Sequence, residues 1–374
     1  MFSDFDRVAM QRALELAARG LDTTHPNPRV GCVIARSGRV VGEGWHARAG
    51  EPHAEVLALA ACGTQAAGAT AYVTLEPCSH HGRTPPCVEA LIAARVARVV
   101  YAMADPNPQV DGRGAERLAA AGLTVEGGLL AAEAAELNQG FVKRMRTGRP
   151  WVRVKLAMSL DGRTALANGA SRWISGAAAR EDVQRWRARS SAVLTGVGTV
   201  LADDPRLDVR LPAEAGGERR QPLRVVLDGA LRTPPAARLF TVPGEVLIIT
   251  GLAASDPDWE PRCAALAARG ARIETLPEAA TQLPLPAVLE RLGELEMNEL
   301  QVEAGPTLAG ELIRQALADE LLLYVAPKLL GPAARPLLAL PELAAIEAAP
   351  AFLIAEVARI GDDLRLRLTP RAAA

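Results

Sequence analysis

The sequence contains no apolar run approaching the roughly 20 residues of a membrane-spanning helix, so no membrane partner is expected. Its net charge is only −1 over 374 residues, which gives no general attraction to nucleic acid. The first six residues lack both the basic patch and the apolar stretch of a secretory signal. The five cysteines are odd in number and argue against a disulfide framework. These absences predict a protein of the reduced cytoplasm.

The length of the chain predicts two domains. A chain of 374 residues, 49% of them apolar, is long for a single hydrophobic core. The segment Arg146-Thr147-Gly148-Arg149-Pro150 is polar, short and contains structure breakers, which makes it the best boundary. We therefore expect one domain over residues 1–146 and a second over residues 147–374.

Alternating helix and strand patterns predict an α/β fold for both domains. Ser3 is placed to cap a first helix that stops at Gly20, and Ser37-Gly38 indicates a hairpin turn. Helices are further predicted from His53 to about Cys62, after Pro85-Pro86, and at residues 177–189 and 308–317. Strands are predicted at residues 30–35, 39–42, 70–75, 98–103, 151–158, 192–194, 223–227, 246–250, 299–302 and 321–325. Residues 212–221 are predicted to form an exposed loop.

The first half contains a set of residues typical of a catalytic zinc site. His53, Cys78 and Cys87 supply one imidazole and two thiolates, and a catalytic zinc ion keeps three protein ligands with water in the fourth position. Glu55 lies two residues after the histidine and can carry a proton from that water to a leaving amine. This combination predicts the hydrolytic removal of an amino group from a heterocycle.

Two alternatives to this interpretation follow from the same residues. A structural zinc ion needs a fourth protein ligand, which His80 or His81 could supply, but that leaves Glu55 without a role. The spacing also differs from the commoner deaminase pattern, because eight residues rather than two separate Cys78 from Cys87. The other three cysteines are expected to be small buried hydrophobic residues; they are Cys32, Cys62 and Cys263.

Glycine-bearing strand ends in the second half indicate a phosphorylated ligand. Gly196 and Gly198 follow one predicted strand, although the third glycine of a Rossmann fingerprint is absent. Residues 302–310 form a second strand exit, at which Thr307 is placed to cap a helix directed at an anion. Each loop alone could equally be an ordinary turn. Together they suggest a dinucleotide or another phosphate-bearing ligand.

Longer segments of the chain show a more specific pattern. In the first half these are residues 25–31, 44–46, 52–56 and 74–87, with the long cysteine spacing included. In the second half they are residues 155–163, 171–174, 195–207 and 302–310. In this order they closely resemble the bifunctional deaminase/reductase family of riboflavin biosynthesis from about residue 5 to about residue 335. The resemblance implies a cytidine-deaminase-like three-layer αβα domain followed by a dihydrofolate-reductase-like α/β domain.

The resemblance also implies roles for individual residues. In the deaminase half, His53, Cys78 and Cys87 would bind zinc, Glu55 would shuttle protons, Asn27 would hold the pyrimidine, and His46 and residues 80–84 would face the pocket or a phosphate. NADPH would contact Ala157, Trp173, Thr199, Asp203 and the segment Gly305, Pro306, Thr307, Leu308, Ala309 and Gly310. The phosphoribosyl substrate would contact Ser171, Arg187, Arg206, Arg210 and Glu303. For Arg187 and Arg210 a solvated surface position is the alternative. Lys155 would support the ring-opened sugar electrostatically, or form a structural ion pair.

The predicted function is therefore a two-step one. The first domain would remove the 2-amino group of 2,5-diamino-6-(5-phosphoribosylamino)pyrimidin-4-one. The second would reduce the ribosyl group with NADPH, giving 5-amino-6-(5-phosphoribitylamino)uracil. The expected partner is this small molecule, and a homo-oligomer is expected. The alternatives are a nucleic-acid or nucleoside deaminase with an accessory nucleotide-binding domain, and a zinc-stabilised NADPH-sensing protein without turnover.

Overall fold

The structure is a computed structural model that describes residues 1–79, 85–108, 111–212, 219–276 and 282–371. The chain divides into two units, Met1–Arg149 and Pro150–Ala374. Gly148, with a φ of 71°, ends the last helix of the first unit just before this division. Across the described ranges, no helix is both long and apolar enough to cross a membrane.

The first unit contains six helices and a five-stranded sheet within its described residues. Its elements are α1 (Asp4–Ala18), β1 (Gly31–Arg36), β2 (Arg39–Trp45), α2 (Ala54–Cys62), β3 (Thr70–Leu75), α3 (Cys87–Ala93), β4 (Arg98–Met103), α4 (Arg113–Ala120), β5 (Thr124–Gly127), α5 (Ala131–Leu137) and α6 (Gln139–Thr147). The strand order is β2-β1-β3-β4-β5, and only the pairs that involve β1 are antiparallel.

Helices cover both faces of this sheet, because successive residues of each strand point to opposite sides. On one face Val33 and Ala35 of β1 pack with α1 and α5. On the other face Cys32 and Ile34 pack with α2, α3 and α4. The result is a three-layer αβα unit. The buried positions of Cys32 and Cys62 confirm that these thiols are core residues.

In the first unit, the predicted helix cap at Ser3 and the predicted turn at Ser37-Gly38 are both present. Ser3 caps α1 in a reciprocal pair: its Oγ accepts the Asp6 N–H at 3.1 Å, and Asp6 accepts the Ser3 N–H at 2.8 Å. Ser37 and Gly38 both have positive φ, at 52° and 73°, and turn β1 into β2. These two sequence predictions are confirmed.

Strand β2 extends three residues beyond its predicted end at residue 42 because its glycines let α2 lie directly on the sheet. A Cβ on Gly44 would stand 2.4 Å from the Ala54 carbonyl oxygen, and one on Gly42 would stand 2.3 Å from that of Ala58. The backbone of α2 therefore approaches the strand more closely than any side chain allows. This contact places the start of α2, with its neighbour His53, beside the sheet.

The second unit is a nine-stranded sheet with a two-stranded ribbon. Its described elements are β6 (Trp151–Ser159), β7 (Arg163–Ala165), α7 (Ala177–Arg189), β8 (Ala192–Gly196), α8 (Val197–Asp203), β9 (Leu223–Leu227), β10 (Val246–Thr250), α9 (Trp259–Ala267), β11 (Ala271–Thr275), α10 (Leu285–Glu294), β12 (Glu299–Val302), α11 (Pro306–Arg314), β13 (Glu320–Ala326), β14 (Arg335–Pro336), β15 (Phe352–Ile360) and β16 (Asp363–Pro370). The main sheet has the order β11-β10-β9-β8-β12-β6-β13-β16-β15.

Seven neighbouring strands, β11 to β13 in this order, are parallel, and helices cover both faces of them. Helices α10 and α11 pack on one face. Helices α8 and α9 pack on the other with Val226 and Ile248, and α7 packs there against Leu322 and Tyr324. The strands are buried on both sides, which explains their nearly continuous apolar runs. Cys263 lies in this core, as predicted.

The structure corrects the predicted start of helix α11 and shows a hairpin in the segment after Pro336. Helix α11 begins at Pro306, not at residue 308, and its N-cap is Gly305 with φ −73° and ψ 177°, so the prediction that Thr307 caps it is wrong. Proline is favoured at the first helical position because it has no N–H to leave unpaired. The chain beyond Pro336, which carries no distinctive motif, forms the antiparallel hairpin β15–β16 at the edge of the sheet.

The close packing of α2 on β2 predicts the effect of a single methyl group. Gly44→Ala should destabilise the first unit by about 1–3 kcal/mol, because the new Cβ meets backbone that cannot move aside. Val40→Ala on the same strand removes an exposed side chain and should change stability by less than about 0.5 kcal/mol. Urea denaturation followed by circular dichroism compares the two variants. Equal midpoints would contradict the packing argument.

Candidate active sites

Three separate segments bring the predicted zinc ligands together. His53 is the N-cap of α2, Cys78 follows the end of β3, and Cys87 is the first residue of α3. Their ligand atoms all lie within 4.8 Å of one another. His53 Nδ1 is 3.2 Å from Cys87 Sγ and 3.6 Å from Cys78 Sγ. Tetrahedral zinc with its usual bond lengths separates such ligands by about 3.5 Å, so the donor set fits the ion.

Electrostatics within this cluster favour one thiolate. The pKa of Cys78 falls to about 4, because Cys87 and His53 both hydrogen-bond to its sulfur. The backbone N–H of Cys87 also donates to Cys78 Sγ at 3.4 Å. The pKa of Cys87 rises, because it donates to Cys78 and is buried. Both thiols are suited to a divalent cation, which replaces their shared proton.

Glu55 lies next to these donors and is almost completely buried, with 3% of its surface exposed. Burial raises the pKa of Glu55 to about 7, and the negative charge of Cys78 adds to the rise, while His53 opposes it. A zinc ion would lower that pKa again, because a nearby cation favours the carboxylate. A carboxyl group in this position can accept a proton and return it.

His46 and Asn27 form a polar pair beside the zinc ligands. The ring of His46 packs edge-on against that of His53, with centroids 5.3 Å apart. Its Nδ1 lies 3.2 Å from the Pro52 carbonyl oxygen and therefore donates, which leaves Nε2 to accept from Asn27 Nδ2 at 3.0 Å. Burial lowers the pKa of His46, which favours the neutral ring. The histidine thus fixes the orientation of the Asn27 amide.

Glu76 is a residue that sequence analysis missed. Its carboxylate accepts four backbone N–H groups, from Asp105, Gly112, Gly114 and Ala115, at 3.3, 3.0, 3.0 and 3.1 Å respectively. Three of these donors belong to the start of α4, so Glu76 caps a helix from a distant segment. A Cβ on Gly114 would stand 2.0 Å from the Pro77 carbonyl oxygen. The start of α4 is therefore fixed against the residue that precedes Cys78.

Asp105, which follows β4, was also missed. It is buried, and burial raises its pKa to about 7, with the negative charges of Glu76 and Cys78 adding to the rise. It accepts the Asn107 N–H at 2.9 Å. No local pattern distinguishes it from an ordinary turn aspartate. Residues 80–84, which were predicted to face the pocket and include the alternative ligands His80 and His81, lie outside the described residues.

In the second unit most of the predicted reductase residues line one open cleft of about 1950 Å³. Two glycine-bearing strand exits face each other there: a Cβ on Gly305 would lie 4.0 Å from Thr199 Oγ1, and one on Gly196 would lie 3.6 Å from Leu308 Cδ2. The other predicted residues that line the cleft are Lys155, Ala157, Ser171, Trp173, Arg187, Asp203, Arg206, Arg210, Glu303, Pro306 and Thr307.

Ala309 and Gly310 do not line this cleft, so their predicted cofactor contacts are not supported. Because α11 begins at Pro306, both residues lie inside the helix and turn toward the core. Ala309 is fully buried in the apolar cluster, and a Cβ on Gly310 would stand 2.6 Å from the Ala339 carbonyl oxygen. Both residues face the core because they lie on a helix and not in an extended loop.

A buried ion pair lies at the centre of the cleft. Arg187 donates from Nε and Nη2 to the two carboxylate oxygens of Glu303, at 2.5 and 2.8 Å. Its exposure of 7% rules out the alternative of a solvated surface arginine. Burial raises the pKa of Glu303, but Arg187 and Lys155 outweigh it and hold that pKa at about 2. Burial lowers the pKa of Lys155, and Glu303 opposes this.

A third missed residue, Asp208, organises the arginines. Arg206 Nη2 donates to one of its oxygens at 2.7 Å, and Arg210 Nη1 donates to the other at 2.6 Å. Arg187 Nη1 donates to its carbonyl oxygen at 2.9 Å. Arg206 and Arg210 remain 37% and 48% exposed, so each keeps donors free for an anion in the cleft.

Comparison with known proteins finds relatives that cover both units. Residues 150–366 match the family described as "RibD C-terminal domain", and residues 3–103 match the "Cytidine and deoxycytidylate deaminase zinc-binding region". The riboflavin biosynthesis protein RibD of Escherichia coli is 52% identical over 97% of this chain and 99% of its own length. That of Haemophilus influenzae is 48% identical over 99% of each chain. The chain belongs to the RibD family.

Solved structures extend the match to three dimensions. RibD of Acinetobacter baumannii superposes with a TM-score of 0.90 at 45% identity, covering 98% of this chain and 99% of its own. The diaminohydroxyphosphoribosylaminopyrimidine deaminase/5-amino-6-(5-phosphoribosylamino)uracil reductase of Thermotoga maritima superposes with a TM-score of 0.84 at 32% identity, covering 98% and 99%. The family resemblance and the fold class predicted from the sequence are confirmed. Zinc and NADPH are the cofactors of this RibD-family enzyme.

Metal analysis tests the proposed ligand set. Cys78→Ser and Cys87→Ser should each lower the zinc content of the dialysed protein well below one ion per chain, because a hydroxyl is a far weaker zinc ligand than a thiolate. Cys62→Ala changes a core thiol outside the cluster and should retain the metal. Stoichiometric zinc in both serine variants would show that the ligands are other residues.

Glu76 gives a second measurable effect. Glu76→Ala should leave four backbone donors, two of them buried, without their acceptor and loosen the segment that carries Cys78, so zinc should dissociate at least about tenfold faster. A chromogenic chelator measures this rate. Glu133→Ala, an exposed substitution on α5, is the control and should release zinc at the wild-type rate.

Proposed function

We propose that the chain converts 2,5-diamino-6-(5-phosphoribosylamino)pyrimidin-4-one to 5-amino-6-(5-phosphoribitylamino)uracil in two steps, deamination and then reduction. The observation that carries this proposal is the pairing of two unlike sites in one chain. The first unit gathers His53, Cys78 and Cys87 beside the buried Glu55. The second gathers Lys155, Glu303 and several arginines around two glycine-bearing strand ends.

In the deamination, zinc supplies the nucleophile when bound, because it lowers the pKa of water to about 7. The carboxylate of Glu55 accepts the proton of that water and returns it to the amino group. A C–O bond forms at the ring carbon that carries the amine, and the C–N bond breaks with release of ammonia. Asn27, whose amide orientation is held by His46, is placed to bind the edge of the pyrimidine.

In the reduction, NADPH would be held at the strand ends that carry Gly196 and Gly305, and it would supply a hydride to C1 of the sugar. The ammonium group of Lys155, beside Glu303, is placed to stabilise negative charge on the oxygen of the ring-opened sugar. Arg206 and Arg210 are placed to bind the phosphate, since the planar guanidinium group can bond two phosphate oxygens at once. These residues orient the reactants, and no covalent nucleophile is required.

We assign the deaminase to residues 1–146 and the reductase to residues 147–374, with the ligand, proton-transfer and binding roles given above. We further propose a cytoplasmic homo-oligomer that does not bind nucleic acid. The net charge of −1 supports the last point. The edge strand β15 supports oligomer formation, because Leu353, Ile354 and Val357 expose 47%, 64% and 58% of their surfaces on a strand with an unpaired edge.

A split assay tests the proposal. Glu55→Gln should lower ammonia release from the diaminopyrimidine by about 10²–10⁴-fold, because the proton-transfer group is lost. NADPH oxidation with the deaminated intermediate should continue at the wild-type rate. Glu133→Gln, an exposed change in the same unit, should leave both rates unaltered. Loss of both rates in the Glu55 variant would count against two independent active sites.

A further inference from the structure

The loop that carries Asn27 is closed on itself by hydrogen bonds. It spans residues 21–29, between α1 and β1. The Arg29 guanidinium donates from Nη2 to the Leu21 carbonyl oxygen at 3.1 Å, which joins the two ends of the loop. Inside the loop, the Asn27 N–H donates to the Thr24 carbonyl oxygen at 2.8 Å. The loop is therefore fixed in shape, and its position depends on what holds the buried Arg29.

A side chain from a distant segment holds Arg29. Asn138 lies at the junction of α5 and α6, 109 positions along the chain. Its Oδ1 accepts the backbone N–H of Arg29 at 2.8 Å, and its Nδ2 donates to the Arg29 carbonyl oxygen at 2.9 Å. Two residues paired in an antiparallel sheet exchange the same two bonds, so this amide takes the place of a neighbouring strand. Arg29 Nη1 strengthens the junction by donating to the Leu137 carbonyl oxygen at 2.8 Å.

His46 is attached to the same segment at two points. Its backbone N–H donates to the Val30 carbonyl oxygen at 2.9 Å, and its ring Nε2 lies 3.0 Å from Asn27 Nδ2. The next residue, Gly31, donates its N–H to Thr74 Oγ1 at 3.1 Å. The backbone at residues 29–31 therefore sets the distance between the Asn27 amide and the histidine that orients it. A shift of Arg29 would separate the two groups.

The contacts that hold the zinc ligands are separate from this one. Helix α2 rests on Gly44, the segment before Cys78 is held by the cap that Glu76 gives to α4, and the Val88 N–H donates to the Cys78 carbonyl oxygen at 3.3 Å. Asn138 is 1% exposed, and its side-chain hydrogen bonds go to Arg29 and Ala134. Its loss should therefore disturb the Asn27 loop and leave the metal in place.

We propose that Asn138 is a positioning residue of the deaminase, which holds Asn27 against the pyrimidine through the backbone of Arg29. The proposal rests on the proposed function, in which Asn27 binds the edge of the pyrimidine. A contact with the ring edge is made in the bound substrate and in the transition state alike. Its loss should therefore raise KM more than it lowers kcat.

Steady-state ammonia release from the diaminopyrimidine measures this division on the full chain. Asn138→Ala should raise KM about tenfold while kcat stays within about twofold of the wild type, because uniform binding is lost. Zinc content and NADPH oxidation with the deaminated intermediate should not change. Val142→Ala is the control, since it shortens a partly buried side chain on the same helix α6 and should leave KM unaltered.

A double-mutant cycle distinguishes positioning from a general loss of stability. Asn27→Ala should itself raise KM about tenfold or more, and adding Asn138→Ala to it should change KM by less than about twofold, because the effect of Asn138 passes through Asn27. Independent effects that multiply would overturn the proposal. A fall in kcat or in zinc content with KM unchanged would also overturn it, because Asn138 would then support the metal site.

Two further results separate this inference from the proposed function. If Asn27→Ala raises KM and Asn138→Ala does not, only the positioning role fails. If Asn27→Ala leaves KM unchanged, the pyrimidine contact of the proposed function fails as well. Asn138→Asp has the same shape and replaces the alanine variant if that variant does not fold. It loses the donor to the Arg29 carbonyl oxygen and should raise KM at least about threefold, so a wild-type KM would contradict the proposal.

Discussion

The convergence of three donor atoms within 4.8 Å is the constraint around which the first unit is built. Each donor comes from a different element, and each element is held by a contact that involves no zinc. Helix α2 is set by its contact with Gly44, the exit of β3 by Glu76, and the start of α3 by the backbone N–H of Val88, which donates to the Cys78 carbonyl oxygen at 3.3 Å. The same contacts place Glu55 beside these donors.

In both units, carboxylates that accept backbone N–H groups hold turns and helix ends in place near the candidate active sites. Glu76 holds the start of α4, Asp228 closes the turn after β9, and Asp161 accepts the N–H groups of Leu330 and Gly331. Such bonds to a charged acceptor are stronger than neutral ones and keep loops rigid where side chains must converge. The buried Arg187–Glu303 pair differs, because it places compensated charge inside the cleft itself. A charge that is paired and hydrogen-bonded can be buried at a lower cost in free energy than an isolated one.

Local patterns predicted a large part of this molecule. The cap at Ser3, the turn at Ser37-Gly38 and the bounds of helix α7 depend on neighbouring residues, and the structure agrees with all three. The His53, Glu55, Cys78 and Cys87 set was also recognisable, because its chemistry is rare enough to identify from residue types. Glu76, Asp105 and Asp208 were not found. An acidic residue near the end of a strand carries no local sequence signal of the distant groups that it contacts.

The sequence by itself indicated the α/β class through its periodicity, the family through the resemblance of its longer motifs, and His53, Cys78 and Cys87 as candidate zinc ligands through their residue types and spacing. The tertiary structure decided which polar groups meet across the chain: Glu76 with residues 29 to 39 positions away, and Arg187 with Glu303 at 116. It also decided that α11 begins at Pro306 and turns Ala309 and Gly310 inward. These outcomes depend on packing between distant segments, and no spacing along the chain encodes that directly.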